Sequence, residues 1–267
     1  MTTATMTELL VDTKDGVMTL TLNRPEVLNA LTMGMMKAIA DALKKAATDK
    51  SIKVIILTAA GRAFCAGADL GDLKKRQSVR NFSLGDELRD HFNPMIAQLR
   101  KLEKPVIGAI NGLAAGAGAS LILSSDLKVC ADKATFVNAF VKVGLVPDSG
   151  MTYFMPRFVG YSKALEHAWL AKPVTAEQAL ACGWVNKVVP AESVLVEAQA
   201  MAADLAKMPP LALALTKRAI NRSLEAPSLE DQMEYEAQLQ EVLGKTKDHS
   251  EGVSAFLEKR PPQFKGE

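Results

Sequence analysis

The sequence is poor in the residues that build metal centres and disulfide frameworks. It has three cysteines, Cys65, Cys130 and Cys182, and three histidines, His91, His167 and His249. The cysteines are odd in number and far apart, which argues against a disulfide scaffold and fits reduced thiols in a cytoplasmic setting. Neither set has the spacing of metal ligands. An excess of one charge is also missing: 32 Lys and Arg against 30 Asp and Glu leave a net charge of +2. Nothing therefore drives the chain toward nucleic acid or an acidic membrane surface. Aromatic residues make up 5% and are not interleaved with basic ones as on an RNA-binding face. No apolar run reaches the ~20 residues of a membrane helix. The opening MTTATMTELL lacks the basic and apolar regions of a secretory signal and the arginines of a transit peptide, and the closing KGE is not a peroxisomal address.

What is present is an ordinary globular composition, 48% hydrophobic and 23% charged over 267 residues, enough for one large domain or for one domain plus an appendage. Residues 7–13 and 17–22 read as a hairpin around Lys14-Asp15-Gly16. A helix is expected from Thr32 to Thr48 with Met36, Ile39 and Leu43 on one face, then a strand from Ile52 to Leu57. Residues 71–92 are polar and weakly patterned, and read as a mobile surface segment before a helix near 94–102. Strands are expected at 106–110, 127–130, 135–136 and 184–189, with a helix near 137–143. Thr175 to Gln178 is a capping box for a short helix ended by Gly183. Paired strands followed by a helix recur three or four times. From Ala191 the pattern is helical, with Pro209-Pro210 as punctuation, Ser228 as a cap and a last helix from Ser250. This divides the chain into a core, 1–207, and a helical tail, 208–267, for which oligomer contacts are the plain reading.

Two segments share one design: VIILTAAGRAFCAGADL (54–70) and VIGAINGLAAGAGASLILSSDL (106–127). Each is an apolar strand followed by a run of glycine and alanine. Side chains this small admit a ligand to bare backbone N–H groups, and a helix start adds partial positive charge at that point. Two such donors aimed at one atom would form an oxyanion hole. The alternative is that Gly116 to Ala119 only permits close helix packing. The G-x-G-x-x-G dinucleotide spacing fails in this stretch.

Six ordered segments carry a resemblance: LNRPEVLNAL, GRAFCAGADL, KPVIGAINGLAAGAGASLILSSDL, GLVPDSG, VTAEQALACGWVNKVV and EGVSAFLEKRPPQF. Over nearly its whole length the chain resembles the enoyl-CoA hydratase/isomerase (crotonase) superfamily. The resemblance implies an α/β fold, a crotonase-like spiral of ββα repeats with a C-terminal helical oligomerisation region, assembled as a homotrimer or hexamer. It implies an acyl-CoA thioester as substrate, with coenzyme A entering only as part of that substrate, and no metal or redox cofactor. It places the two oxyanion N–H groups on Ala68 and Ala117; the family often has glycine at the second position, and alanine keeps the N–H. It runs the CoA moiety along Arg24, Val27, Leu28 and Ala30 and along Ala66, Gly67, Asp69 and Leu70. Phe256 and Lys259 would approach it from a neighbouring subunit. Arg24 reads equally as a surface arginine, Asp69 as a helix N-cap, and Lys259 as an exposed helix end.

Family hydratases use two glutamates, and those positions here hold Ser120 and Phe140. Neither can carry a proton at neutral pH, so the resemblance points away from hydration, and both are expected in the acyl pocket. One carboxylate remains, Asp148 in GLVPDSG. Pro-Asp-Ser-Gly is by itself a turn sequence; within the family the same place holds the single acid of several isomerases. The stretch VKVGLVPDSGMTYFMPR is similar to the 1,2-epoxyphenylacetyl-CoA isomerase type and to Δ3,Δ2-enoyl-CoA isomerases. Phe140, Val146 and Met151 are expected to keep the pocket dry. His91 is a lesser candidate for the acyl pocket. The resulting expectation is a double-bond isomerase, with thioester hydrolysis or weak hydration, or acyl-CoA binding without turnover, as alternatives.

Overall fold

The computed structural model describes residues 7–267; residues 1–6, part of the stretch read above for a targeting signal, lie outside them. Leu9–Lys14 (β1) and Val17–Leu22 (β2) form the expected antiparallel hairpin. Asp15 and Gly16 alone make its turn, both at positive φ (50° and 80°), as a two-residue turn matched to strand twist requires. Thr32 caps α1 (Met33–Thr48) by accepting from the Met35 N–H at 3.0 Å, and Met36, Ile39 and Leu43 are buried along it. The chain returns as β3 (Val54–Ala59), parallel to β2. This strand starts two residues after the apolar run, because Ile52 is buried from the preceding loop.

From β3 onward the chain spirals. It leaves the first sheet for β4 (Ala63–Cys65) in a second sheet, then α2 (Leu70–Gln77). Next, α3 (Leu84–Glu87) continues through a π-helical turn, Leu88–Phe92, into α4 (Asn93–Lys101). The second circuit repeats the first: β5 (Val106–Ile110) lies parallel beside β3, β6 (Leu113–Ala115) parallel beside β4, and α5 (Ala117–Leu123) follows. A third circuit adds β7 (Leu127–Ala131) and β8 (Thr135–Val137) in the same two sheets. A 3₁₀ turn at Phe140–Val143 replaces the helix expected there, and α6 (Met151–Val159) and α7 (Tyr161–Leu170) come after it. Then β9 (Val174–Thr175), the capping-box helix α8 (Ala176–Ala181) and β10 (Lys187–Val189) close the two sheets. The sheet orders are β1-β2-β3-β5-β7-β10 and β4-β6-β8-β9. Strands β3 and β5 are buried along their whole length, which is why they read as continuous apolar runs rather than alternating ones.

Helix α9 (Val194–Ala206) covers the first sheet across β3, β5 and β7. The tail follows as α10 (Pro210–Ser223), α11 (Leu229–Leu243) and α12 (Lys247–Glu258). Ser228 caps α11 as expected. Helix α12 begins three residues before Ser250, because Thr246 Oγ1 accepts from the His249 N–H at 3.1 Å. Lys217 pins α10 to the core by donating to the Leu99 and Lys104 carbonyls at 3.1 and 3.2 Å and to Asp126 Oδ2 at 2.7 Å.

The largest departure from the sequence reading is residues 71–92. They are not an unpatterned surface segment but the helices α2 and α3 with their π-helical extension. Asp69 caps the first and Ser83 the second. Leu73, Leu84, Leu88 and Phe92 turn inward from them, spaced too sparsely among charged residues to show as a period.

Glycines let successive circuits of the spiral pack closely around β4. A Cβ on Gly112 would lie 2.2 Å from the Arg62 carbonyl oxygen, and one on Gly118 would lie 2.5 Å from the Cys65 carbonyl oxygen and 2.7 Å from its Cβ. Gly118→Ala is therefore expected to cost roughly 1–3 kcal/mol through overpacking. Urea unfolding would show this as a lower midpoint at unchanged m-value; an unchanged midpoint contradicts the packing described.

Candidate active site

The spiral brings equivalent bends together. β4 and β6 are adjacent parallel strands, with Cys65 opposite Ala114, so the bends that follow them, Ala66-Gly67-Ala68 and Gly116-Ala117, emerge side by side. β8 is next to β6 and delivers Ala139 and Phe140 from a third equivalent bend. These bends border one cavity of about 130 Å³, whose opposite wall comes from α2 and α3 and whose rim carries Asp148.

The two small-residue bends touch main chain to main chain. Gly67 has φ +99°, and a Cβ there would lie 3.0 Å from the Ala115 carbonyl oxygen and 3.5 Å from the Ala117 nitrogen. Gly116 has φ +50° and lies against Gly67. Both are positions that glycine alone fits without strain. Around them the other amides are used: Leu31 N–H donates to the Gly67 carbonyl at 2.7 Å, Asp69 N–H to the Leu31 carbonyl at 3.0 Å, and Gly116 N–H to the Val137 carbonyl at 2.9 Å. Gly67 N–H donates to Cys65 Sγ at 3.4 Å, and burial pushes that thiol up to about 12, so it stays neutral. The pairing of Leu31 with both neighbours of Ala68 turns the Ala68 N–H to the other side of the chain. Ala117 is the first residue of α5, where no intrahelical acceptor exists. Among the described residues neither the Ala68 nor the Ala117 N–H has a hydrogen-bond acceptor, and both residues border the cavity.

Asp148 sits at a bend with Ser149 and Gly150 at φ +52° and +80°. Its carbonyl accepts from Met151 N–H at 2.9 Å and from Ser120 Oγ at 3.0 Å, which fixes the backbone and leaves the side chain to face the cavity. Burial raises its pKa above the ordinary 3.8, and the Ser149 hydroxyl, donating to Oδ1 at 2.8 Å, partly offsets this. Burial is the larger influence.

The other expected residues divide. Phe140 lines the cavity, and Gly67, Ala66 and Leu70 line its mouth. Ser120 is fully buried and is not a pocket wall; it acts on Asp148 from behind. His91 is exposed on the π-helical turn, where its neighbour Phe92 takes the inward position. Val146 is 72% exposed and Met151 is buried elsewhere, so Leu145 and Val143 make that wall instead.

Arg24 does not present a free guanidinium. It donates to the Ala30 carbonyl at 2.7 Å and Asp69 Oδ2 at 2.9 Å, and pairs with Glu8 at 3.2 Å. Asp69 is at once the N-cap of α2 and this partner, and hydrogen bonds from the Asp72 N–H and from Arg24 hold its carboxyl below the ordinary range. Ala30 is buried, whereas Val27 is exposed and Leu28 partly so, next to the first bend through the Ala66 N–H to Leu28 carbonyl bond of 2.9 Å. Phe256 and Lys259 lie on and just past α12; Phe256 borders a separate groove with Leu211 and Val253. Two residues carried no signal in the sequence: Arg76 on α2 and Glu87 on α3 border the cavity and form an ion pair. They are eleven positions apart without a motif, and only the folding of one helix onto the other joins them.

Residues 12–267 match the family described as enoyl-CoA hydratase/isomerase. The chain is 45% identical over 258 residues to 1,2-epoxyphenylacetyl-CoA isomerase of Escherichia coli K12, covering 97% of this chain and 98% of that one. It is 38% identical over 261 residues to 2,3-dehydroadipyl-CoA hydratase of the same organism, covering 98% and 100%. The crystal structure of an enoyl-CoA hydratase from Polaromonas sp. JS666 superposes with a TM-score of 0.91 at 32% identity, over 96% of this chain and 99% of that one. With its strands spiralling through two sheets and its helices gathered at the C-terminus, the chain has the crotonase fold and belongs to the enoyl-CoA hydratase/isomerase family.

Proposed function

We propose that the protein is an acyl-CoA isomerase that moves a double bond with Asp148 as its only proton carrier. One observation carries this: the cavity that holds two free main-chain donors has a single carboxylate without a cationic partner, Asp148, since Glu87 is engaged by Arg76. Adding water across a double bond asks for one group to deprotonate water while another protonates carbon. Shifting the double bond needs one group acting twice.

In this reading the thioester carbonyl oxygen accepts from the Ala68 and Ala117 N–H groups. The Asp148 carboxylate takes a proton from the carbon next to the carbonyl. The C–H electron pair enters the carbonyl system, and the negative charge settles on the oxygen between the two amides. One such donor contributes roughly 3 kcal/mol in comparable sites. The same Asp148, now protonated, returns the proton to the carbon two positions further along, and the double bond ends conjugated with the thioester. No water is consumed. Phe140, Val143 and Leu145 give the carboxylate an apolar side, and partial burial raises its proton affinity toward what a carbon acid requires. Val27, Leu28, Ala66 and Leu70 form the rim along which CoA would lie, with Arg24 and Asp69 shaping that rim. Phe256 and Lys259 would reach CoA only from another copy, in a homotrimer or hexamer held together by the tail helices.

Hydration or thioester hydrolysis is the second reading, favoured by the relative named as a hydratase. Product analysis separates the three: migrated double bond, hydroxyacyl-CoA, or free CoA.

Asp148→Asn is expected to lower kcat for isomerisation roughly 10²–10⁴-fold, with CoA affinity held within about threefold. Exchange of the substrate's hydrogens next to the thioester with deuterated water should be lost in parallel. Unchanged turnover refutes the role.

The same substitution has a stability signature. The native pKa of Asp148 lies above 3.8, so the folded state holds the proton more tightly than the unfolded one. Its contribution is fully present below the unfolded value and is lost as pH rises through the folded one. Asp148→Asn should therefore be more stable than wild type at about pH 7, with the advantage shrinking toward about pH 3. Urea midpoints at several pH values measure this, and a gap that widens on acidification contradicts the burial described.

A further inference from the structure

Three charged side chains border the cavity, and the mechanism above uses only Asp148. The other two, Arg76 and Glu87, are 23% and 12% exposed and paired with one another. Arg76 Nε also pairs with Asp72 across one turn of α2 at 3.2 Å. Around them this wall is hydrocarbon: Leu73, Leu84, Leu88 and Phe92. A fastening of α2 to α3 explains the pair but not its position. A surface ion pair would hold two helices without lining a cavity, whereas a pair on the cavity wall loses water whenever an acyl group enters.

We propose that Arg76 and Glu87 select the acyl group, forming a polar seat for a neutral oxygen function (a hydroxyl or carbonyl) on the part of the acyl chain remote from the thioester. The guanidinium donates to such an oxygen, and the carboxylate accepts from a hydroxyl. A hydrocarbon tail strips water from both charges and returns no hydrogen bond, which is the costly way to bury a polar group. A carboxylate tail is opposed by charge. Asp72 and Glu87 stand against the single Arg76 cation, so this corner is already net negative, and Asp148 borders the same cavity. Sites built to hydrogen-bond a substrate group reject analogues lacking it far more strongly than apolar pockets reject a methylene.

The proposal rests on the reading that this cavity receives an acyl-CoA, and the test keeps the two apart. Three thioesters of equal length are compared: hex-3-enoyl-CoA, 6-hydroxyhex-3-enoyl-CoA and the CoA monothioester of hex-3-enedioic acid. Binding by competition calorimetry is read alongside kcat/KM for isomerisation, in wild type and in Arg76→Met/Glu87→Leu, which removes both charges of the pair together and frees only the part-exposed Asp72. Wild type is expected to favour the hydroxylated tail over the hydrocarbon by about tenfold or more in kcat/KM, and the double variant to erase or invert that order. Glu87→Gln, which keeps an acceptor, should retain part of it. Equal or better use of the hydrocarbon tail by wild type overturns the proposal. So does preference for the dicarboxylate, or an order that survives in a double variant with a native melting profile. Should no thioester isomerise, the isomerase reading fails while the binding order still decides this one.

Discussion

Everything at this site depends on two stretches of main chain lying in contact with no side chain between them. The bend after β4 and the bend after β6 come from successive circuits of the spiral, and adjacent strands bring them within one strand spacing, roughly 4.8 Å. Gly67 and Gly116 then face one another, both at positive φ. A methyl group on Gly67 would press on the Ala115 carbonyl and wedge the bends apart. The close approach makes the Ala68 and Ala117 amides neighbours. Among the described residues the Ala68 and Ala117 N–H groups have no protein acceptor, and in the proposed reaction the thioester oxygen would supply one, most strongly once it is charged.

The carboxylate proposed as proton carrier obeys the same logic. The chain turns over Asp148-Ser149-Gly150-Met151, closed by the Met151 N–H to Asp148 carbonyl bond, one residue later than Pro-Asp-Ser-Gly suggests, and the turn brings Asp148 to the cavity. Left-handed backbone at Ser149 and Gly150 points the Asp148 carboxylate inward, while Ser120 and the Met151 amide hold its carbonyl from the other side. Turn and acid were alternatives only in the sequence; in the structure one produces the other. Ser120 has a comparable history. The resemblance set it at a hydratase glutamate position and in the acyl pocket; in the structure its buried hydroxyl fastens the backbone of Asp148.

The legible parts of the sequence were those in which one residue type decides one local feature. Asp15-Gly16 set the hairpin, Thr32, Thr175 and Ser228 set helix starts, and the apolar runs of β3 and β5 announced strands buried on both faces. The hidden parts were made by tertiary packing. β4 and β6 are three residues each, AFC and LAA, too short and too small to show a period, yet they align the two bends. Helices α2 and α3 have little apolar character of their own, because their inward leucines need a cavity to face. Arg24 illustrates a third kind of difficulty. In the sequence it read as a residue on the expected CoA path or a surface arginine, but the fold brings Glu8 and Asp69 to it from distant segments and consumes its charge.

The cavity that results is uneven in its electrostatics, and the unevenness bears on both rate and choice. Two main-chain donors and the partly buried carboxylate of Asp148 border it, and the α2 and α3 wall is apolar on either side of an ion pair. In such a space the effective dielectric is low, and a charge developing on the thioester oxygen is worth far more to the two amides than it would be in water. On the proposed reading, the same low dielectric would penalise an acyl group that covers the Arg76–Glu87 pair without hydrogen-bonding to it. Stabilisation of the enolate and choice among acyl groups would then draw strength from one condition, the cover that α2 and α3 give the cavity. A polar-looking stretch of sequence supplies that cover, because Leu73, Leu84, Leu88 and Phe92 line the cavity while most of its charged side chains face outward.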